Sequence, residues 1–261
     1  MTFQPFVPIG GLAGWRFLQN TAETQRAAHA AGPVLQRDLN YFEENIGSIK
    51  TAEQLVGDYR LLSVALGAFG LSDDINSKFL IKRVLEEGTI DPDSLANRLS
   101  DKRYRDLSRA FGFGDFGVAN TALSDFPDRI AKRYKDQRFE IDMGRTSEMM
   151  RLALTAQREL PALASGDSSN RTKWFTLMGT PPLRKVMQTA LNMPTAIGTL
   201  PIDRQLEVFQ ERAEAIFGTN DLTELARSDT LSRVLDRYTA LDQSGGSSSV
   251  SSPALVLLRG F

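Results

Sequence analysis

Residues 51–71, TAEQLVGDYRLLSVALGAFGL, decide the fold class. Thr51 and Gln54 stand at the spacing of a capping box, in which the hydroxyl accepts one free backbone N–H and the amide side chain another, so a helix starts there. Leu55, Leu62, Leu66 and Phe69 then recur along one face, and Gly70 is placed to close the helix in a left-handed turn. The same period continues on both sides. It predicts helices over about 12–31 and 34–46 upstream, closed between them by Gly32-Pro33, and over about 74–87 and 93–111 downstream. Phe79, Leu80, Val84 and Leu85 are the side chains that the first downstream helix has to bury. Asp91-Pro92-Asp93 is a turn and cap into the second.

FGFGDFGVANTALSD, residues 111–125, is rich in Gly and Phe and reads as an irregular connection packed by its own aromatics. A long helical pattern follows over 127–164, interrupted near Gly144, with Ile130, Tyr134, Ile141, Met149, Leu152 and Leu160 as core positions. After the polar loop SGDSSN come helices at about 171–178, 182–193, 203–217 and 221–241. The expectation is an all-α chain, a multi-helix bundle with no substantial sheet.

The two halves can be laid over one another. LVGDYRLLSVALGAFGL from Leu55 matches LMGTPPLRKVMQTALNM from Leu177, pairing Gly57 with Gly179, Leu61 with Leu183, Val64 with Val186 and Ala68 with Ala190. DKRYRDLSR from Asp101 matches DTLSRVLDR from Asp229. Either a helical module of about 65 residues is duplicated, or amphipathic helices resemble one another by chance. Duplication divides the chain into an N-terminal arm with two helices packing on the body (1–50), a first repeat (51–125), a connecting long helix (126–170), a second repeat (171–242) and a Ser/Gly-rich tether with an apolar end, PALVLLRGF (243–261).

Composition narrows the function. The 261 residues are 41% hydrophobic and 24% charged, enough to bury a real core. Lys plus Arg number 31 against 32 for Asp plus Glu, so no overall field draws the chain to nucleic acid or an anionic membrane. With no Cys and one His, thiolate zinc sites, a Cys nucleophile and a Ser-His-Asp triad lack raw material. His29 has no evident acidic partner in the sequence. The carboxylate pairs Glu43/Glu44, Asp73/Asp74 and Glu86/Glu87 read as caps and solvated faces. IGGLAG and GFGDFG lack the Lys-Ser/Thr of a phosphate loop. No catalytic, cofactor or metal site is expected. Neither a Sec signal nor a transmembrane segment is indicated, and a cytoplasmic or flagellum-associated location fits.

Two features remain. DRIAKRYKDQR, residues 128–138, carries a basic face of Arg129, Lys132, Arg133, Lys135 and Arg138, whose alternative to a solvated helix is RNA or membrane-surface binding. Both ends of the chain are apolar: Phe3, Phe6, Trp15 and Phe17 at the front, Leu255, Val256, Leu257, Leu258 and Phe261 at the back. Such ends suit docking to other proteins or to further copies of the chain, although Trp15 and Phe17 suit a core slightly better than docking.

FQPFVPIGGLAGWRFLQNT, RDLNYFEENIGSIKTAEQLVGDYRLLSVALGAFGL and RLSDKRYRDLSRAFGF together resemble domain of unknown function family 1217. The similarity extends over most of the chain, and DYRLLSVALGAFGL and RYRDLSRAFGF are its most specific parts. Members are found mainly in alphaproteobacteria, commonly encoded among flagellar genes. The resemblance therefore implies a motility-associated structural or assembly protein, with flagellar components or an export chaperone as partners. It carries over no catalytic residue. An enzyme built on a carboxylate pair is the remaining alternative.

Overall fold

The computed structural model describes residues 3–246, with side chains to Asp242, and among these the chain is all-α. It divides into two compact units, one of Met1–Pro5 and Glu23–Asp142, the other of Phe6–Ala22 and Met143–Phe261. The first long helix, α1 (Gly11–Ala30), contributes its beginning to the second unit and its end to the first.

In the first unit the chain continues as α2 (Pro33–Asn45), α3 (Ala52–Gly57), α4 (Tyr59–Ala68), α5 (Lys78–Glu87), α6 (Leu95–Arg98), α7 (Arg103–Phe111) and α8 (Phe126–Gly144). The capping box forms: Thr51 Oγ1 accepts the Gln54 N–H at 3.2 Å, and Gln54 Oε1 accepts the Thr51 N–H at 3.3 Å. The helix it starts is nevertheless broken after Gly57. Asp58 adopts an extended conformation (φ −98°, ψ 107°) and caps a new helix by accepting the N–H groups of Arg60 and Leu61 at 2.9 and 3.0 Å. Its other carboxylate oxygen accepts the Tyr41 hydroxyl at 2.7 Å, and the Arg60 guanidinium lies 3.9 Å from the Tyr41 ring centroid. Three elements are tied at this junction. α4 then packs on α2 and α3, α3 on α5, and α5 on α6 and α7. Leu55, Leu62, Leu66 and Phe69 are all buried, as their spacing requires. Of the four expected core residues of α5, Val84 and Leu85 are buried, Leu80 is half-buried, and Phe79 is 77% exposed. The expected helix over 74–87 begins only at Lys78, after a 3-10 turn at Ser72–Asp74, which shifts the start of the buried face to Ile81.

The second unit holds α9 (Glu148–Ala164), α10 (Asn170–Gly179), α11 (Pro181–Ala190), α12 (Ile202–Phe217), α13 (Leu222–Leu225) and α14 (Ser228–Gly246). α9, α11 and α14 pack against one another pairwise, with α10 against α9, α11 and α13. The interruption expected near Gly144 is there: α8 ends at that residue, and Ser147 caps α9 through the Met150 N–H.

Local events in 52–71 recur in 170–193. α4 and α11 are each ten residues long, and each follows a helix ending in Gly and one extended residue, Asp58 or Thr180 (φ −102°, ψ 103°). Both end in a Schellman turn. Gly70 (φ 69°) and Asn192 (φ 51°) take the left-handed position, and the following amides bond back five residues, Leu71 N–H to the Leu66 carbonyl at 2.9 Å and Met193 N–H to the Gln188 carbonyl at 3.0 Å. Leu61 and Leu183, Val64 and Val186, and Ala68 and Ala190 are each buried within their own unit.

Candidate functional site

Glycine and aspartate in GFGDFG build a surface out of two loops. α7 ends at Gly112 in a left-handed cap, its N–H donating to the Ser108 carbonyl at 2.8 Å, while α5 ends at Gly88 with φ 69°. The backbone of Gly114 lies directly on that of residues 86–88; a Cβ on Gly114 would stand 2.5 Å from the Gly88 nitrogen. This closeness lets Asp115 reach across. Its carboxylate accepts the N–H of Thr89, the Thr89 hydroxyl at 2.9 Å and the N–H of Ile90 at 3.1 Å. Asn97 holds the same turn through the Thr89 and Asp91 carbonyls at 2.9 and 2.7 Å. The glycines thus serve backbone contact.

Below these loops Phe111 meets Phe126 edge-on at 5.1 Å and Phe113 at 5.7 Å, and Thr121 donates to the Ile49 carbonyl at 2.6 Å. The connection is packed by its aromatics as expected, with one exception. Phe116 lies over Gly112 and stays 56% exposed, and Ile90 and Val118 of the same two loops are 69% and 72% exposed. Ile90 and Phe116 thus stand next to residues that the Asp115 carboxylate ties together, Ile90 through its own amide. In the sequence only the spacing of Gly, Asp and Phe in GFGDFG pointed here, and it did not tell inward from outward phenylalanines.

The residues singled out at the chain's ends separate. Phe3, Phe6 and Ile9 are exposed, at 37, 55 and 55%. Gly14 has no room for a side chain beneath the Ile9 carbonyl, so the Val7–Ile9 stretch lies against the start of α1, and Phe6 meets half-buried Phe17 edge-on at 6.5 Å. Trp15 is fully buried and belongs to the core of the second unit. Leu255, Val256, Leu257, Leu258 and Phe261 lie outside the described residues.

The basic stretch does not form one exposed face. Arg129 and Lys132 are exposed, whereas Arg133, Lys135 and Arg138 are half-buried. Arg129 is 3.4 Å from Asp125, and the Arg133 guanidinium lies 4.2 Å from the Phe69 ring centroid.

His29 does have an acidic partner, contrary to the sequence reading. It is 6% exposed, its Nε2 is 2.8 Å from Asp142 Oδ2, and it stands edge-on to Phe139 at 5.7 Å. A separation of 113 positions along the chain hid the pairing. Among the carboxylate pairs, Glu87 accepts the Leu95 N–H at 2.6 Å and Arg83 at 2.7 Å, which holds its carboxyl below the usual range. Among the described residues, no group of three or more His, Asp or Glu is placed to hold a metal, and no helix is long and apolar enough to cross a membrane.

No curated protein gives a significant match to the sequence. A crystal structure of an Agrobacterium tumefaciens protein is similar in fold, with a TM-score of 0.76 and 25% identity over 93% of this chain and 99% of that one. The model of a family described as "protein of unknown function" matches residues 68–231. RYRDLSRAFGF lies inside this span, whereas most of DYRLLSVALGAFGL precedes it. Because the match takes in more than half of the sequence, the chain belongs to that family, DUF1217.

Proposed function

We propose that this protein is a non-catalytic structural or assembly factor of bacterial motility, in the cytoplasm or at the flagellum, that works by docking other proteins. The supporting observation is the exposure of Ile90, Phe116 and Val118, large apolar side chains on two loops that Asp115 joins through Thr89 and Ile90. Solvating such side chains is unfavourable, and a rigid display loses little entropy on binding. Phe3, Phe6 and Ile9 of the N-terminal arm are each exposed as well. The motility assignment rests on the resemblance of the chain to proteins encoded among flagellar genes. We also propose that 51–125 and 171–242 descend from one module; the shared break, helix length and Schellman turn support it.

The test is recovery of partners from motile cells by the tagged full chain, a version lacking residues 1–11, a version lacking residues 243–261, and the variant Ile90→Ser/Phe116→Ser/Val118→Ser. Flagellar proteins recovered by the full chain and lost on altering an apolar set are the expected result. Equal recovery by all versions would remove these surfaces from the function. Recovery without any flagellar protein would remove the motility assignment.

A further inference from the structure

Within the first unit, α7 and the first part of α8 run in opposite directions and are tied at both ends. Phe111 at the end of α7 meets Phe126 at the start of α8 edge-on at 5.1 Å. At the other end Arg103 and Gln137 both stand over Gly70, where a Cβ would lie 3.4 Å from Arg103 Nη1 and 3.6 Å from Gln137 Oε1. Between these ties Asp106 of α7 feels guanidinium groups from both helices. Packing around its carboxyl lifts it above the usual carboxylate range, against the pull of Arg133 from α8 and of Arg105 and Arg109 from α7.

The two helices thereby pool their cations. Residues 102–109 and 129–133 hold seven Lys or Arg and a single acid, Asp106, in a chain whose charges otherwise balance at 31 against 32. Four of the seven are engaged: Lys102 with the Asn97 and Leu99 carbonyls, Arg103 with Asp101, Arg129 with Asp125, and Arg133 over the Phe69 ring. Arg105, Arg109 and Lys132 are exposed and have no ion-pair partner among the described residues. Arg105 and Arg109 stand one turn apart on the same face of α7.

We infer that this surface of α7 and α8 binds an acidic segment of another protein, whose Asp or Glu carboxylates are received by Arg105, Arg109 and Lys132. The arginine fork matches the two oxygens of a carboxylate. Asp106 among the cations, with Asp125 and Asp128 at their edge, would meet the closely spaced phosphates of a nucleic-acid backbone, whereas carboxylates separated along a peptide can pass these acids by. Three available cations also fall short of the about four to eight with which basic segments hold an anionic membrane. The inference stands on different residues from the apolar docking reading.

The test is fluorescence anisotropy of a fluorescein-labelled peptide of alternating Glu and Ser, titrated with the purified full chain at low salt, where exposed charges are least screened. Binding should weaken about tenfold in Arg105→Gln/Arg109→Gln/Lys132→Gln. It should be unchanged in Arg204→Gln/Arg212→Gln, which removes two exposed cations of α12 in the second unit. Asp106→Asn, which takes the acid out of the surface, should tighten it about threefold. No binding of the peptide, equal weakening by the two sets of Gln substitutions, or weaker binding by Asp106→Asn would each overturn the inference. Tighter binding of a short oligouridine strand or of phosphatidylserine vesicles than of the peptide would overturn the choice of partner. Recovery of partners from cells by the apolar variants is read independently, so either proposal can fail while the other stands.

Discussion

Two glycines of one stretch should respond oppositely to alanine. Gly67 is buried within α4, and a Cβ there would overlap the Tyr134 ring, standing 2.8 Å from its Cδ2 and closer still to Cε2. Tyr134 is itself only 6% exposed, so the ring has little space into which to retreat. The helix would gain about 1 kcal/mol from replacing glycine. Forcing a methyl group into a filled core costs about 1–3 kcal/mol. The clash wins, and Gly67→Ala should destabilise the first unit by about 1 kcal/mol. Gly57, the last residue of α3, meets nothing within 4 Å and does not have positive φ. There alanine only restricts the unfolded chain, and Gly57→Ala should stabilise by about 0.5–1 kcal/mol. The assay must report on the right unit. Both tryptophans, Trp15 and Trp174, belong to the second unit, so urea unfolding is followed by circular dichroism and by hydrogen exchange of the α4 amides. Equal stabilisation by the two substitutions would refute the packing argument at Gly67.

Two further outcomes follow from the carboxylates of the first unit. Burial opposes ionisation of Asp58, but the Leu61 amide, the Tyr41 hydroxyl and the Arg60 amide outweigh it and hold the carboxyl below its usual range. A depressed pKa contributes stability above the unfolded value near pH ~4, lost as pH falls through the folded value. Asp58→Ala should therefore cost about 1 kcal/mol at neutral pH and progressively less below about pH 4; a constant difference down to about pH 3 would contradict this. Asp115→Ala frees the Thr89 and Ile90 amides, and their hydrogen exchange should accelerate tenfold or more, from about 1–3 kcal/mol of lost hydrogen bonding. Asp115→Asn retains an acceptor oxygen and should lie between; protection of residues 88–94 unchanged in both variants would mean that Asp115 does not hold the two loops together.

Much of the helical architecture was legible because its causes are local. The Thr51–Gln54 box, the Gly70 turn and the interruption at Gly144 each involve residues within a turn or two of one another, and short-range hydrogen bonding leaves its mark in the order of residue types. Even there the reading joined α3 to α4, since a single extended residue at Asp58 leaves the apolar period nearly intact. The candidate site was far less legible. Phe79, Phe116 and Trp15 are all large apolar residues in apolar surroundings, yet the first two face water and the third is fully buried. Their fates turn on what another stretch of chain brings to them. The clasp of Asp115 on Thr89 spans 26 residues, and the pairing of His29 with Asp142 spans 113. By itself the sequence determined that the chain is helical and where most helices stop, which depends on neighbours along the backbone. Only the tertiary structure decided which apolar side chains are surface and which are core, because burial is a property of distant segments meeting.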